Sequence, residues 1–403
     1  MKGEFLQALP IIETIQENGY EAYFVGGSVR DFLLGRKIGD VDIATSATPD
    51  EVQKMFPKTI DVGKKHGTVI VLLNGKSYEV TTFRTEGQYV DYRKPQYVRF
   101  IRSLKEDLRR RDFTINAMAM DKTGEIIDYF GGKNDLKNRV IRTVGNPYER
   151  FSEDALRMLR ALRFVSQLSF QLEEETKNAI IRWNPLLKEI SIERITNEME
   201  KLFAGQSSNQ AIRLLAETDV YRHLPGISHL QDRLLKISDY PLQQLTERED
   251  YWLFLTYMLK IEDVRMFLQQ WKLPRKLIQN VALQRERLSV LLEKGWTNYL
   301  LYQAGIDSAL QLERVKQVLQ KEKNVSAFQT LKDQYINLPI RSRTDLAITG
   351  KDILDIIEKK PGQWVSKYLQ IIEEHVLNRK LENDSGNIKE WLIHCNQKLD
   401  ENC

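Results

Sequence analysis

The segment Ala22-Tyr23-Phe24-Val25-Gly26-Gly27-Ser28 restricts what this chain can fold into more than any other. A strand-forming run ends in two glycines, whose missing Cβ atoms let backbone amides come close to a phosphate. A helix starting at the pair, carrying Arg30 and Asp31, presents its positive end to the same anion, so the segment reads as a triphosphate grip. Ten residues after Arg30, Asp40-Val41-Asp42-Ile43 alternates between acid and aliphatic. On a strand this puts both carboxylates on one face and Val41 and Ile43 on the other. Two like charges side by side need a counter-ion. A hard divalent cation with oxygen ligands, Mg²⁺, would also bridge the phosphates of a nucleotide held by the glycines. Alone, a Gly-Gly pair also suits a tight turn, and Asp-x-Asp a solvated strand edge.

Three motifs downstream bear on the same chemistry. Tyr78-Glu79-Val80-Thr81-Thr82-Phe83-Arg84 reads as a strand, reached from the strand Thr68–Leu72 through the hairpin signal Asn74-Gly75. Glu79 is then a third carboxylate for the metal, a base for an attacking hydroxyl, or an exposed strand glutamate. In Arg109-Arg110-Arg111-Asp112-Phe113-Thr114-Ile115-Asn116-Ala117-Met118-Ala119 the arginines suit phosphates or a basic turn. Ile115, Met118 and Ala119 in that run follow a helical spacing. Glu153-Asp154-Ala155-Leu156-Arg157-Met158-Leu159-Arg160-Ala161-Leu162-Arg163-Phe164 consists of strong helix formers. With Ser152 as N-cap and acids in the first turn, it predicts one unbroken helix. Asp154 and Arg157, at i and i+3, face the same way. An acceptor beside a donor matches the pairing edges of cytosine and adenine, an amino group next to a bare ring nitrogen. Uracil and guanine offer the opposite order. A surface ion pair would show the same spacing.

The glycines and the Asp-x-Asp, in this order and at this spacing, resemble the signature of the polymerase-β-like nucleotidyltransferases. With the three further motifs the chain resembles the class II tRNA nucleotidyltransferases, or CCA-adding enzymes, whose bacterial relatives include poly(A) polymerase. The likeness runs motif by motif to about residue 205 and more loosely to the end. It implies an α+β head with a polymerase-β-like nucleotidyltransferase sheet, followed by an all-α neck, body and tail. The expected divisions are residues 1–145, 146–205, 206–300 and 301–403. Carried across by motif, Asp40, Asp42 and Glu79 are catalytic, with Asp40 and Asp42 holding two Mg²⁺. Gly27, Arg30, Arg111, Asp154, Arg157, Arg160 and Arg163 contact the nucleotide. At 100° per residue, Asp154 and Arg163 fall about 180° apart on a straight helix. Both then reach one nucleotide only if the long Arg163 side chain wraps round or serves another part of it.

The activity so implied is template-independent addition of CMP and AMP, from CTP and ATP, to the 3′ end of tRNA, with release of pyrophosphate. An A-adding specialist beside a separate CC-adding enzyme and a poly(A) polymerase remain open. So does a silent RNA-binding protein, which predicts loss of the carboxylates, yet Asp40, Asp42 and Glu79 are all in place. Residues 85–96, with glycine, proline, mixed charge and no sustained period, read as a mobile loop. In the family such a loop accompanies addition of the final A. The tail runs Asp345–Leu354 and Lys360-Pro361-Gly362-Gln363-Trp364 resemble the family's tRNA-approaching tail. Thr349-Gly350 opening a helix suits an RNA phosphate or a plain joint.

Composition bounds the rest. A net charge of +4 permits a partner with phosphates without requiring one. Two cysteines, Cys395 and Cys403, make no disulfide framework and suit a reducing cytoplasm. No signal-like opening and no apolar run of membrane length is present, so a membrane role is not expected. The five histidines read as structural, without zinc spacing. Near residue 145 the pattern changes from mixed strands and helices to helices, with Gly145-Asn146-Pro147 at the joint. Further joints are expected at Gly205–Ser208, Leu224–Gly226 and Trp296–Asp307. A homodimer is compatible with the family.

Overall fold

Strand β1 (Ala22–Val25) follows helix α1 (Gly3–Glu17) and leads directly into α2 (Gly27–Leu33), as the glycine pair requires. The computed structural model describes residues 3–87, 89–90, 94–95 and 97–398. After α2 come β2 (Asp42–Thr45), α3 (Pro49–Met55), β3 (Thr59–Gly63), β4 (Thr68–Leu73) and β5 (Lys76–Thr82). Asn74 and Gly75 turn β4 into β5 with φ of 50° and 76°, the left-handed values a tight hairpin needs. Then β6 (Arg84–Glu86) pairs antiparallel with β9 (Val98–Phe100), and β7 (Tyr89–Val90) with β8 (Lys94–Pro95). Part of the expected loop over 85–96 is thus a hairpin; residues 88, 91–93 and 96 lie outside the described residues. Helix α4 (Leu104–Arg109), β10 (Met118–Met120), β11 (Ile126–Asp128), α5 (Gly132–Asn138) and β12 (Val140–Ile141) follow.

The main sheet has seven strands in the order β11-β10-β1-β2-β5-β4-β3, with β2 and β5 parallel and the other neighbours antiparallel. Its register decides which side chains meet. Val25 pairs with Asp42 and Asp42 with Glu79, so these three share one face; Phe24, Ile43 and Val80 share the other. Helix α1 covers the second face with the fully buried Phe5, Ile11, Ile12 and Ile15, the Phe5 ring 4.8 Å from that of Phe24. Each such side chain contributes about 1.5–3 kcal/mol. On the first face Val25, Ala44, Phe83, Leu104, Leu108, Ala117 and Ala119 form a second cluster.

Two expectations are corrected here. Met118 and Ala119 lie on β10, after a 3-10 turn at Thr114–Asn116, and not on a helix. Met118, Ala119 and Met120 are all fully buried, so the strand shows no polar alternation to read. Asp40 precedes β2, which begins at Asp42, although exposure still alternates: Asp40 exposed, Val41 buried, Asp42 half-buried, Ile43 buried.

Helix α6 (Pro147–Glu153) starts at Asn146, whose Oδ1 accepts the Tyr148 amide at 2.9 Å, with Pro147 first in the helix. α7 (Leu156–Leu168), β13 (Gln171–Leu172), α8 (Glu174–Trp183), α9 (Ile192–Phe203) and α10 (Ser208–Glu217) follow, with β13 parallel to β12. The unbroken helix expected over 153–164 is two helices. Ser152 lies in the last turn of α6 and donates to the Glu149 carbonyl at 2.7 Å. Asp154 is extended, with φ −135° and ψ 104°.

Contacts divide the chain into two compact units, residues 1–239 with 270–272, and residues 240–269 with 273–403. The second is helical among the described residues, including Arg275–Lys294, Asn298–Gln320 and Gln363–Leu377. Gly305, at φ 70° and ψ 163°, kinks Asn298–Gln320 within the joint expected at 296–307. Ile353, Ile372, Leu377, Ile388 and Leu392 are fully buried in its core. Thr349 caps Gly350–Ile357 through a capping box with Asp352. No helix among the described residues is long and apolar enough to cross a membrane.

Candidate active site

The sheet face that carries Asp42 and Glu79 opens into a cavity of about 740 Å³. Its floor follows from the period of two along the strands: Val25, Asp42, Glu79, Thr81 and Thr68 all line it. Gly26 and Gly27 form one wall. Gly26 has φ 74°, and a Cβ there would stand 3.1 Å from Arg111 Nη1 and 3.5 Å from Asp42 Oδ2. Only glycine meets both demands. Ser28 Oγ is tied to the Val25 carbonyl at 3.0 Å.

Seven arginines, at 30, 84, 110, 111, 157, 160 and 163, line the cavity against four carboxylates, Asp42, Glu79, Asp112 and Asp154. That excess of positive charge suits a polyphosphate. Arg30 donates to Asp31 at 3.0 Å and to Asn116 Oδ1 at 2.7 Å. Asn116 donates to Asp112 Oδ1 at 3.2 Å, and Arg160 Nε to Asp112 Oδ2 at 2.8 Å. Burial pushes the Asp112 carboxyl up, but Arg160 and the bond from Asn116 outweigh it and hold it down at about 2. Arg163 Nε lies 2.8 Å from Glu198 of α9, and its guanidinium stands 4.2 Å from the Phe164 ring centroid. Arg30 and Arg160 approach the same ring at 5.3 and 5.6 Å. Burial lowers Arg163 to about 10, which leaves it charged at neutral pH.

Asp42 is the perturbed acid. Burial, then the neighbouring Glu79 charge, push its carboxyl up to about 6, with Asp40 adding and Arg111 opposing. Asp40 is exposed and does not line the cavity, although its charge reaches Asp42. Among the described residues no three metal-ligating side chains converge on one point.

The break between α6 and α7 changes how the neck residues meet. Asp154 Oδ1 accepts the Leu156 amide at 3.1 Å, and its carbonyl accepts the Arg157 amide at 3.0 Å. Such local bonds compete with the helix and end it. Asp154 Oδ2 accepts Arg194 Nη2 of α9 at 2.8 Å. Arg157, 8% exposed, donates to Glu153 at 2.5 Å and to the carbonyls of Arg150 and Arg110 at 3.1 and 3.2 Å. The two are therefore not a simple i, i+3 pair, and the angular separation expected between Asp154 and Arg163 does not arise, since Asp154 is off the helix. Both line the cavity.

Residues 22–142 match the sequence pattern of the "Poly A polymerase head domain", and residues 243–392 that of tRNA nucleotidyltransferase domain 2. The CCA-adding enzyme of Geobacillus sp. (strain WCH70) is 49% identical over 404 residues, covering all of both chains. The chain belongs to the family of CCA-adding enzymes. The CCA-adding enzyme of Bacillus subtilis (strain 168) is 48% identical over 98% of this chain and the whole of that one. The crystal structure of the Bacillus stearothermophilus CCA-adding enzyme in complex with CTP superposes with a TM-score of 0.94 at 46% identity, over the full length of both.

In this family member, Gly27, Arg30, Asp42, Glu79, Arg111, Asp154, Arg157, Arg160 and Arg163 line one cavity, and Asp40 stands outside its lining. Sequence reasoning missed Asp112, Asn116, Phe164 and Glu198. Asp112 and Asn116 sit inside the arginine motif, and an acid directly after three arginines was the available signal. Glu198 gave none, being one of several acids on α9. His66, read as structural, also lines the cavity, and its carbonyl accepts from the Arg84 guanidinium.

Proposed function

We propose that this chain adds CMP and AMP, from CTP and ATP, to the 3′ end of tRNA without a nucleic-acid template, building or repairing the CCA terminus. One observation carries the reading: the cavity that holds Asp42 and Glu79 at its floor also holds Asp154 and Arg157 of the neck, joined by an excess of arginines. Chemistry on a phosphate and choice of a base are thereby combined in one pocket. The tRNA 3′ hydroxyl oxygen bonds to the α-phosphorus as the α–β phosphoanhydride breaks, and pyrophosphate departs with the bonding electrons. Glu79, exposed and in register with Asp42, takes the hydroxyl proton. Arg30, Arg111, Arg160 and Arg163 hold the triphosphate, and the glycines admit it to backbone distance.

The donor set fits a divalent cation: the Asp42 carboxyl, its acidity suppressed by burial and then by the charge of Glu79 in register beside it, with Asp40 adding, is an oxygen ligand short of positive charge. Asp42 and Asp40 would hold the ion, Mg²⁺ by its preference for one or two carboxylates plus phosphate oxygens, and it would supply Lewis-acid stabilisation of charge on the phosphates. Asp154 accepts from the amino group of C or A. Arg157 donates to the ring nitrogen once its guanidinium turns from Glu153, and U and G leave both unpaired. Residues 85–96 serve the addition of the final A. The head, neck, body and tail are assigned to 1–145, 146–205, 206–300 and 301–403, the tail approaching tRNA near Gly350 and Gly362. A cytoplasmic location suits the substrate.

Transcripts of tRNA ending before CCA, after C and after CC, incubated with CTP, ATP or both, test the function. Extension of all three to CCA is expected. Extension of the CC transcript alone would identify an A-adding specialist.

A further inference from the structure

The hairpin that begins at Arg84 is tied at its root to one buried carboxylate. Asp107, in α4, is 1% exposed. Its Oδ1 accepts the backbone amide of Arg84 at 3.3 Å, together with Nε and Nη2 of Arg110 at 3.0 and 2.8 Å. Its Oδ2 accepts Nη2 of Arg111 at 3.4 Å. Burial pushes this carboxyl up, and the two guanidinia with the Arg84 amide more than reverse that, leaving it below its ordinary value. A buried charge held this way is costly to break.

Each group that Asp107 holds belongs to a different part of the cavity. Arg84 opens β6, the first strand of the hairpin, and lines the cavity. The carbonyl of Arg110 accepts Arg157 Nη2, the proposed base-reading arginine, at 3.2 Å. Arg111 Nη1 stands against Gly26, and the Arg111 charge opposes the upward shift of Asp42. Asp107 itself does not line the cavity. We infer that Asp107 is a positioning residue that couples the β6–β9 hairpin to Arg110 and Arg111, so that a change in the hairpin is felt where the nucleotide is held. This rests on the reading of the cavity as the nucleotidyl-transfer site. Asp107 touches no reacting atom and acts through the arginines.

The test uses the full chain with Asp107→Asn, Asp107→Glu, a variant with residues 87–97 replaced by a short Gly-Ser linker, and the linker combined with Asp107→Asn. Kinetics are read with CTP on tRNA lacking CCA and with ATP on tRNA ending in CC. Asp107→Asn should lower kcat for A addition at least about tenfold, with KM for ATP within about threefold. Asp107→Glu, which keeps the charge, should recover at least about a third of kcat. If coupling runs through the hairpin, Asp107→Asn should cost at most about another twofold in the linker background. Losses that multiply, or equal damage from Asn and Glu matched by loss of thermal stability, would overturn the coupling. Where Asp107→Asn does not fold, Asp107→Ser, smaller and likewise uncharged, carries the same cycle. Amide exchange over residues 84–100, at least about tenfold faster in the Asp107 variant with α1 unchanged, reads the anchor without any activity; unchanged exchange refutes it. A parent chain that transfers no nucleotide refutes the site's function instead, leaving the exchange result to judge Asp107.

Discussion

Asp42 carries the sharpest consequence at the scale of single residues. Its carboxyl is raised to about 6 from an ordinary 3.8 because burial and Glu79 disfavour the charge. The sign follows: a fold that raises an acid's pKa is penalised when that acid ionises, so this residue's contribution to stability improves as pH falls from above 6 toward 3.8. Asp42→Asn should therefore abolish nucleotide addition while raising the unfolding free energy of the metal-free protein at pH 7 by on the order of 1 kcal/mol, and its unfolding midpoint with it. Thermal unfolding without divalent ions checks it, and a lower midpoint would show that the Asp42 charge is stabilising. Asp154 gives a second expectation. Asp154→Ala leaves Arg157 able to donate to the carbonyl of uracil or guanine. The kcat/KM ratio for CTP over UTP should fall at least about tenfold, roughly 1.4 kcal/mol of discrimination. An unchanged ratio with a slower rate would place base choice elsewhere. That Asp154 and Arg157 line one cavity was legible in their types. Their geometry was not, because an Asx bond to the Leu156 amide and the pairing with Arg194 depend on backbone and α9 contacts that helix propensity does not register.

Among the elements, β1, the Asn74-Gly75 hairpin and α2 were legible because each is fixed by local chemistry: β-branched and aromatic residues, then glycines at left-handed angles. Strand β10 was not, since its burial on both faces removes the alternation that marks a strand. The β6–β9 pairing was hidden by glycine and proline that read as loop. Helices α7 and α9 hold the neck residues of the site, and their approach depends on Gly205. A Cβ there would stand 2.6 Å from the Ser166 carbonyl carbon, next to the bonds from Ser166 Oγ to the Leu202 carbonyl at 2.6 Å and from the Ser207 amide to the Ser166 carbonyl at 2.9 Å. Gly205→Ala must push the two helices apart, so it should lower the unfolding free energy by about 1–3 kcal/mol and weaken nucleotide binding. Urea titration and nucleotide KM report both; a variant with parental stability and KM would show that the helix contact is not needed for the site.

For the whole molecule, the head motifs revealed the chemistry because a nucleotide site is built from few residues at short spacing, whereas the helical second unit is defined by packing between distant helices. Its joints at Gly305 and Thr349 could be placed, but not its core. Although the net charge is only +4, seven arginines meet four carboxylates in one cavity. The central claim is that this chain, with no nucleic-acid template, dictates the sequence C-C-A. Sequencing the 3′ ends of tRNA lacking CCA after incubation with the purified chain, a divalent ion and all four nucleoside triphosphates tests it most directly. The account predicts termini that are almost all CCA and stop there. Tails of repeated A, termini containing U or G, or no extension before CC is supplied would each contradict it.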